Sequence, residues 1–122
     1  WPRLHMIGTL IISCFHARTN AHVLHLQTRS YAAHKALNEF YDGIIPLIDA
    51  FTEAYQGEYG LIKDIAGEYM PKDDALELLD DLRECVDECA KELHKDDTHL
   101  HNLLDEIRSL IASTQYKLGF LR

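Results

Sequence analysis

The chain has little that would staple, punctuate or anchor a fold. Its three cysteines, Cys14, Cys85 and Cys89, include no Cys-x-x-Cys pair. That is too few for a disulfide framework, and the close spacing of a structural zinc site is missing. They read instead as small core residues of a reducing compartment, and the expected location is the cytoplasm. Three prolines and six glycines leave room for long unbroken helices. Alternation of apolar and polar residues is nowhere sustained, so no sheet is expected. The longest apolar run, "MIGTLIISCF", is ten residues, far short of a membrane span, and no membrane association is expected. It resembles a signal-peptide core, but its spacing fits an amphipathic helix that continues beyond it. Twelve lysines and arginines stand scattered against twenty acidic residues, a net charge of −8, without the basic stripe that nucleic-acid binding calls for. G-x-S-x-G, P-loop and H-E-x-x-H motifs do not occur, nor does Glu-x-x-His, the ligand motif of a di-iron site built inside one bundle.

What the chain does have is helical periodicity nearly throughout. The spacing predicts a first helix over about 4–27, with Leu4, Ile7, Ile11, Cys14 and Ala21 on its inner side. After the break "QTRS" a second runs over about 30–57, with Leu37, Tyr41, Ile44, Ile48, Phe51 and Tyr55 inward. Pro46 sits inside the second and should bend it. Gly57, Gly60 and Gly67 before Pro71 mark a connection holding at most a short helix, about 61–66. A third helix starts near Pro71, its stripe running from Ala75 through Leu78, Leu79, Leu82, Cys85, Val86 and Cys89 to Leu93. Asp97 or Thr98 caps a fourth, with Leu100, Leu103, Leu104, Ile107, Leu110, Ile111 and Leu118 inward. The length suits one domain over residues 1–122, and the pattern is that of an all-α four-helix bundle.

Eight histidines are present, and two of them fall into an order with carboxylates. His22 is followed by His34, then Asn38, Asp49 and Glu53. On a helix, His34 and Asn38 are one turn apart, as are Asp49 and Glu53, and eleven residues bring both pairs onto one shoulder. His34 and Asp49 are nevertheless separated by about 22 Å of helix rise, whereas metal–ligand bonds are about 2 Å. One chain cannot close both pairs on one ion. A twofold axis that sets the second helix antiparallel to its copy brings His34 of one subunit to Asp49 and Glu53 of the other, and creates the site twice. His22 can fold back beside His34. Mixed nitrogen and oxygen ligands suit iron(II), with zinc or manganese as alternatives.

This order, His22, His34, Asn38, Asp49 and Glu53 at these intervals, resembles the ferroxidase signature of the Dps miniferritins, the DNA-binding proteins from starved cells. "KDDTHLHNLLDEI" is similar to that family's acidic turn into its last helix. The resemblance implies a ferritin-like bundle with a short helix or loop between its second and third helices. It implies a homo-oligomer built on the antiparallel twofold contact, a dimer or a dodecamer. It implies oxidation of iron(II) by peroxide or oxygen, with His22, His34, Asp49 and Glu53 as catalytic metal ligands and Asn38 as a weaker one, and storage of ferric mineral. The chain departs from the family in carrying Asn38 where an aspartate is usual and Val23 where a tryptophan is usual. No lysine-rich extension of the kind that family uses on DNA occurs, so DNA is not an expected partner.

The bland readings stand beside it. His22 and His34 also suit interface histidines bonded to carbonyls, and His25 a plain surface or interface residue. His94, His99 and His101 with Asp96 and Asp97 suit a charged interhelical turn. The alternative function is a non-catalytic helical oligomer with a structural or partner-binding role.

Overall fold

The computed structural model describes residues 5–121, the side chain of His5 excepted. They form four helices, α1 (His5–Gln27), α2 (Tyr31–Tyr59), α3 (Ala75–Glu92) and α4 (Thr98–Phe120), with no strand among the described residues. Leu4, expected to open the first helix, lies outside them. The helix starts follow local chemistry. Ser30 turns its hydroxyl to the Ala33 amide at 3.2 Å, satisfying one of the unpaired donors of the first turn. Asp74, in extended conformation, does the same for the Leu76 amide at 2.9 Å. That cap sets the start of α3 at Ala75, later than Pro71 suggested, and leaves Pro71 in the connection. α2 runs two residues past its expected end and stops at Gly60, whose φ of 92° is open to glycine without strain.

The helices pack as a bundle in which α1 and α4 each touch α2 and α3, while the α1–α4 and α2–α3 pairs are diagonal. The Tyr59 hydroxyl bonds Asp97, and His99 Nε2 lies 3.3 Å from Glu58 Oε1. The end of α2 therefore meets the α3–α4 turn. At the opposite end, Ser30, Ala75 and Leu118 share one cavity of about 250 Å³. α2 and α3 thus run in the same direction, with α1 and α4 opposed to both. The core between them contains Leu10, Phe40, Ile44, Phe51, Leu79, Leu104 and Ile107, all fully buried, each contributing roughly 1.5–3 kcal/mol by leaving water.

Two helices that run in the same direction need a connection spanning the bundle, and residues 60–74 supply it as an extended strap without helix. It returns along α1: Asp64 lies on Gly8, Gly67 on Ile12, Tyr69 edge-on to His16, and Lys72 beside Asn20. Gly8 has to be glycine, because a Cβ there would stand 1.8 Å from the Asp64 carbonyl oxygen. Asn20, 3% exposed, grips the far end of the strap through both polar atoms. It donates to the Lys72 carbonyl at 3.0 Å and accepts from the Lys72 amide at 2.8 Å. The short helix allowed for 61–66 does not form. Ile62 and Ile65 are drawn onto the core, and the Gln56 side chain takes the Ile62 amide at 3.0 Å. No helix among the described residues is long and apolar enough to cross a membrane.

Candidate metal site on the α1–α2 face

The site begins with an unsatisfied helix end. α1 stops at Gln27, so carbonyls of its last turn lack helical amides to bind. The Thr28 amide reaches the Leu24 carbonyl at 3.0 Å. The His25 carbonyl is instead taken from α2, by His34 Nδ1 at 2.9 Å. The contact is reciprocal, since His25 Nδ1 is 2.6 Å from the His34 carbonyl. The two imidazoles stack with centroids 3.7 Å apart and planes 19° from parallel. A carbonyl only accepts, so each ring donates from Nδ1–H, and in the neutral ring the lone pair then lies on Nε2.

His22, exposed on α1, lies flat against Tyr41 of α2 at 4.3 Å and edge-on to His25 at 5.9 Å. The Tyr41 hydroxyl donates to Asn38 Oδ1 at 2.9 Å, and Asn38 Nδ2 donates to Asp42 at 2.7 Å. His22, His25, His34, Tyr41, Asn38 and Asp42 thus form one connected polar and aromatic patch beside the Thr28–Ser30 turn. Asp49 and Glu53 are exposed farther along α2 on the same shoulder, and neither side chain is paired with another described residue. The structure places His22, His34 and Asn38 in one patch, linked through His25 and Tyr41, and leaves Asp49 about 22 Å and Glu53 about 28 Å from His34 along the helix. Among the described residues, no three His, Cys, Asp or Glu side chains converge on a point that can hold a metal ion.

Two members of this patch were not anticipated as such. His25 suited a plain surface or interface position and is 7% exposed, packed between α1 and α2 of one chain. Tyr41 suited the core and is half-buried under His22. The signal for His25 lies in its register. His25 and His34 flank the turn almost symmetrically, and an antiparallel pair of helices brings such positions face to face. Pro46 stands on the exposed side of α2, where it withholds the amide that would bond the Asp42 carbonyl.

The remaining clusters do not gather into a site. At the α3–α4 turn the Asp96 amide donates to His94 Nδ1 at 3.1 Å, while His101 Nε2 donates to the His94 carbonyl at 3.2 Å. These bonds close the turn. Cys14 and Cys89 are buried and Cys85 half-buried, all three as free thiols. Burial pushes each thiol up, Cys89 to about 12, so they remain protonated and poorly nucleophilic.

No curated protein and no solved structure matches the chain. One family profile does, over residues 25–118, a stretch that contains His25, His34, Asn38, Asp49 and Glu53 and leaves His22 outside. The chain belongs to that family, the family of unknown function DUF5856.

Proposed function

We propose that this protein is a Dps-like miniferritin with a ferritin-like bundle, taking iron(II) as substrate at sites shared by two subunits. The observation that carries the reading is the division of ligands along one helix face. His34, its Nδ1 turned to the His25 carbonyl, lies near the start of α2, and the carboxylates Asp49 and Glu53, unpaired among the described residues, lie beyond its middle. An antiparallel α2–α2 contact joins the two halves, with His22 beside His34 and Asn38 as a neutral neighbour. The single long crossover between α2 and α3 is also the connection that ferritin-like bundles use. In the proposed reaction two iron(II) ions each lose one electron, and both electrons break the O–O bond of one hydrogen peroxide. With two waters this yields two ferric oxyhydroxide units and four protons. Oxygen is the alternative oxidant. Imidazole and carboxylate side chains position the ions, and the acidic surface draws them in.

Subunit mixing tests the shared site. His34→Ala and Glu53→Ala homodimers each lack every complete site. After subunit exchange, each mixed dimer regains one intact site, so about a quarter of all sites recover in an equal mixture. Ferric absorbance after iron(II) and peroxide should be near background for each variant alone and reappear on mixing. No recovery, or a wild-type rate equal to buffer, refutes the proposal. One observation favours the rival, a non-catalytic helical oligomer. The Asn38 amide is already engaged by Tyr41 and Asp42 within the chain, and it brings no negative charge to a metal.

A further inference from the structure

The His25–His34 pair does more than close the α1–α2 turn. We infer that His25 is a positioning residue for the proposed metal site, holding His34 in the tautomer that leaves Nε2 free to ligate. The inference rests on that proposed site for its purpose, but its physical content can be read in metal-free protein.

The argument starts from the backbone. The His25 carbonyl belongs to the last turn of α1, where helical donors run out, and His34 Nδ1–H fills the gap at 2.9 Å. A free imidazole favours its proton on Nε2, which would leave this carbonyl unbonded and place a hydrogen on the nitrogen that a metal needs. The bond reverses that preference. It needs the His34 ring to stay in one orientation, and the His25 side chain provides this. His25 is 7% exposed, its Nδ1 is tied to the His34 carbonyl at 2.6 Å, and its face covers the His34 ring at 3.7 Å. His22 packs edge-on against it at 5.9 Å. Metal-bound histidines generally donate their second nitrogen to a carbonyl or carboxylate, which fixes tautomer and ring orientation. Here the arrangement is assembled within one subunit, before a partner or an ion arrives.

The test uses full-length protein labelled with ¹⁵N-histidine, with no metal present. The imidazole ¹H–¹⁵N correlation spectrum should show His34, assigned by its loss in His34→Gln, protonated at Nδ1 and bare at Nε2. His25→Leu fills the buried volume without stacking or donating, and should shift the His34 nitrogens toward the Nε2–H pattern. His25→Phe restores a stacked ring and should keep the wild-type pattern. Cobalt(II) binding, followed by its visible absorption and by calorimetry, should weaken about tenfold in His25→Leu, the lower end of the range for lost outer-shell partners. His25→Phe should recover most of that loss. Wild-type His34 found protonated at Nε2 overturns the inference, and that result needs no variant to fold. So does a His25→Leu protein with an unchanged His34 spectrum and unchanged cobalt affinity. If the tautomers are as expected but wild-type protein binds no cobalt or iron, the proposed function falls, and what stands is the control of the His34 tautomer by His25.

Discussion

The same substitution at two glycines should move stability in opposite directions. Gly57 lies in the last turns of α2 with nothing within 4 Å of an added Cβ. Gly57→Ala should stabilise by roughly 0.5–1 kcal/mol, because alanine loses less backbone entropy on entering a helix. Gly8→Ala makes the same gain in α1 and then meets the Asp64 carbonyl, whose oxygen would be 1.8 Å and carbon 3.0 Å from the new Cβ. Backbone cannot rotate aside as a side-chain tip can. The strap has to retreat by more than an ångström, which loosens Ile62 and Ile65 on the core and pulls on the Asn20–Lys72 clamp. Overpacking of this kind costs about 1–3 kcal/mol. The helix-propensity term is shared by both variants, so the difference between them isolates the steric cost. For a chain of this size it corresponds to about 3–15 °C in melting temperature. Circular dichroism melts at matched protein concentration measure it, and limited proteolysis within residues 60–74 shows whether the strap has lifted. Gly8→Ala as stable and as protease-resistant as Gly57→Ala would refute the packing of the strap on α1.

Asn20→Ala removes both bonds to the Lys72 backbone; a loss of about 1–3 kcal/mol is expected, with faster proteolysis of the strap, and unchanged urea midpoints would count against the clamp. Pro46→Ala returns an amide to the Asp42 carbonyl on the exposed side of α2 and should stabilise by about 1–3 kcal/mol; a loss instead would mean the flanking packing of Ile45 and Leu47 requires the proline. Alkaline pH should destabilise the fold. Cys89 is raised from 9.0 to about 12 by burial, and Tyr59 from 10.0 to about 12 by its bond to Asp97. Both groups hold protons in the folded state that the unfolded chain releases, so stability is full below pH 9 and falls as pH climbs from 9 toward 12. Urea unfolding at stepped pH checks the slope, and Cys89→Val should flatten it.

The sequence carried the four helices because three of them bury one clear stripe. Phe40, Ile44, Ile48 and Phe51 in α2, or Leu100, Leu104, Ile107 and Ile111 in α4, recur at helical intervals and are all fully buried. α1 is less regular for a physical reason: helices cover two of its sides and the strap a third, so Ile12 and His16 are half-buried opposite Ile7 and Leu10. The strap itself was not legible. Its path depends on Gly8, a helical residue that reads as a weak spot, and on Asn20, a polar residue whose partners are main-chain atoms fifty-two positions away. In the candidate site, spacing alone put His34, Asn38, Asp49 and Glu53 on one shoulder of α2. The role of His25 depends on which carbonyl the end of α1 leaves unbonded, and side-chain spacing holds no record of that.

In the proposed antiparallel pairing, Lys35 of α2 would be a competitor to the metal. Lys35, exposed beside His34 and near the Tyr31 ring, puts a cation in the half of the helix opposite to Asp49 and Glu53. An antiparallel copy sets Lys35 and His34 of one chain against Asp49 and Glu53 of the other. Such an exposed ion pair contributes only about 0–1 kcal/mol once entropy and screening are counted, whereas a shared divalent ion gathers four ligands at once. The two contacts therefore respond differently. A dimer held by Lys35 weakens as sodium chloride rises from about 50 to 500 mM, where the screening length shrinks to a few ångströms. It also dissociates in Lys35→Met. A dimer that shares a metal tightens when cobalt(II) is added at high salt, and Lys35→Met binds cobalt at least as well because the competing ammonium is gone. Sedimentation velocity of both proteins, with and without cobalt, separates the cases. A Lys35→Met protein that is monomeric and that cobalt cannot bring together would leave an ordinary ion-paired interface and no iron site on this face.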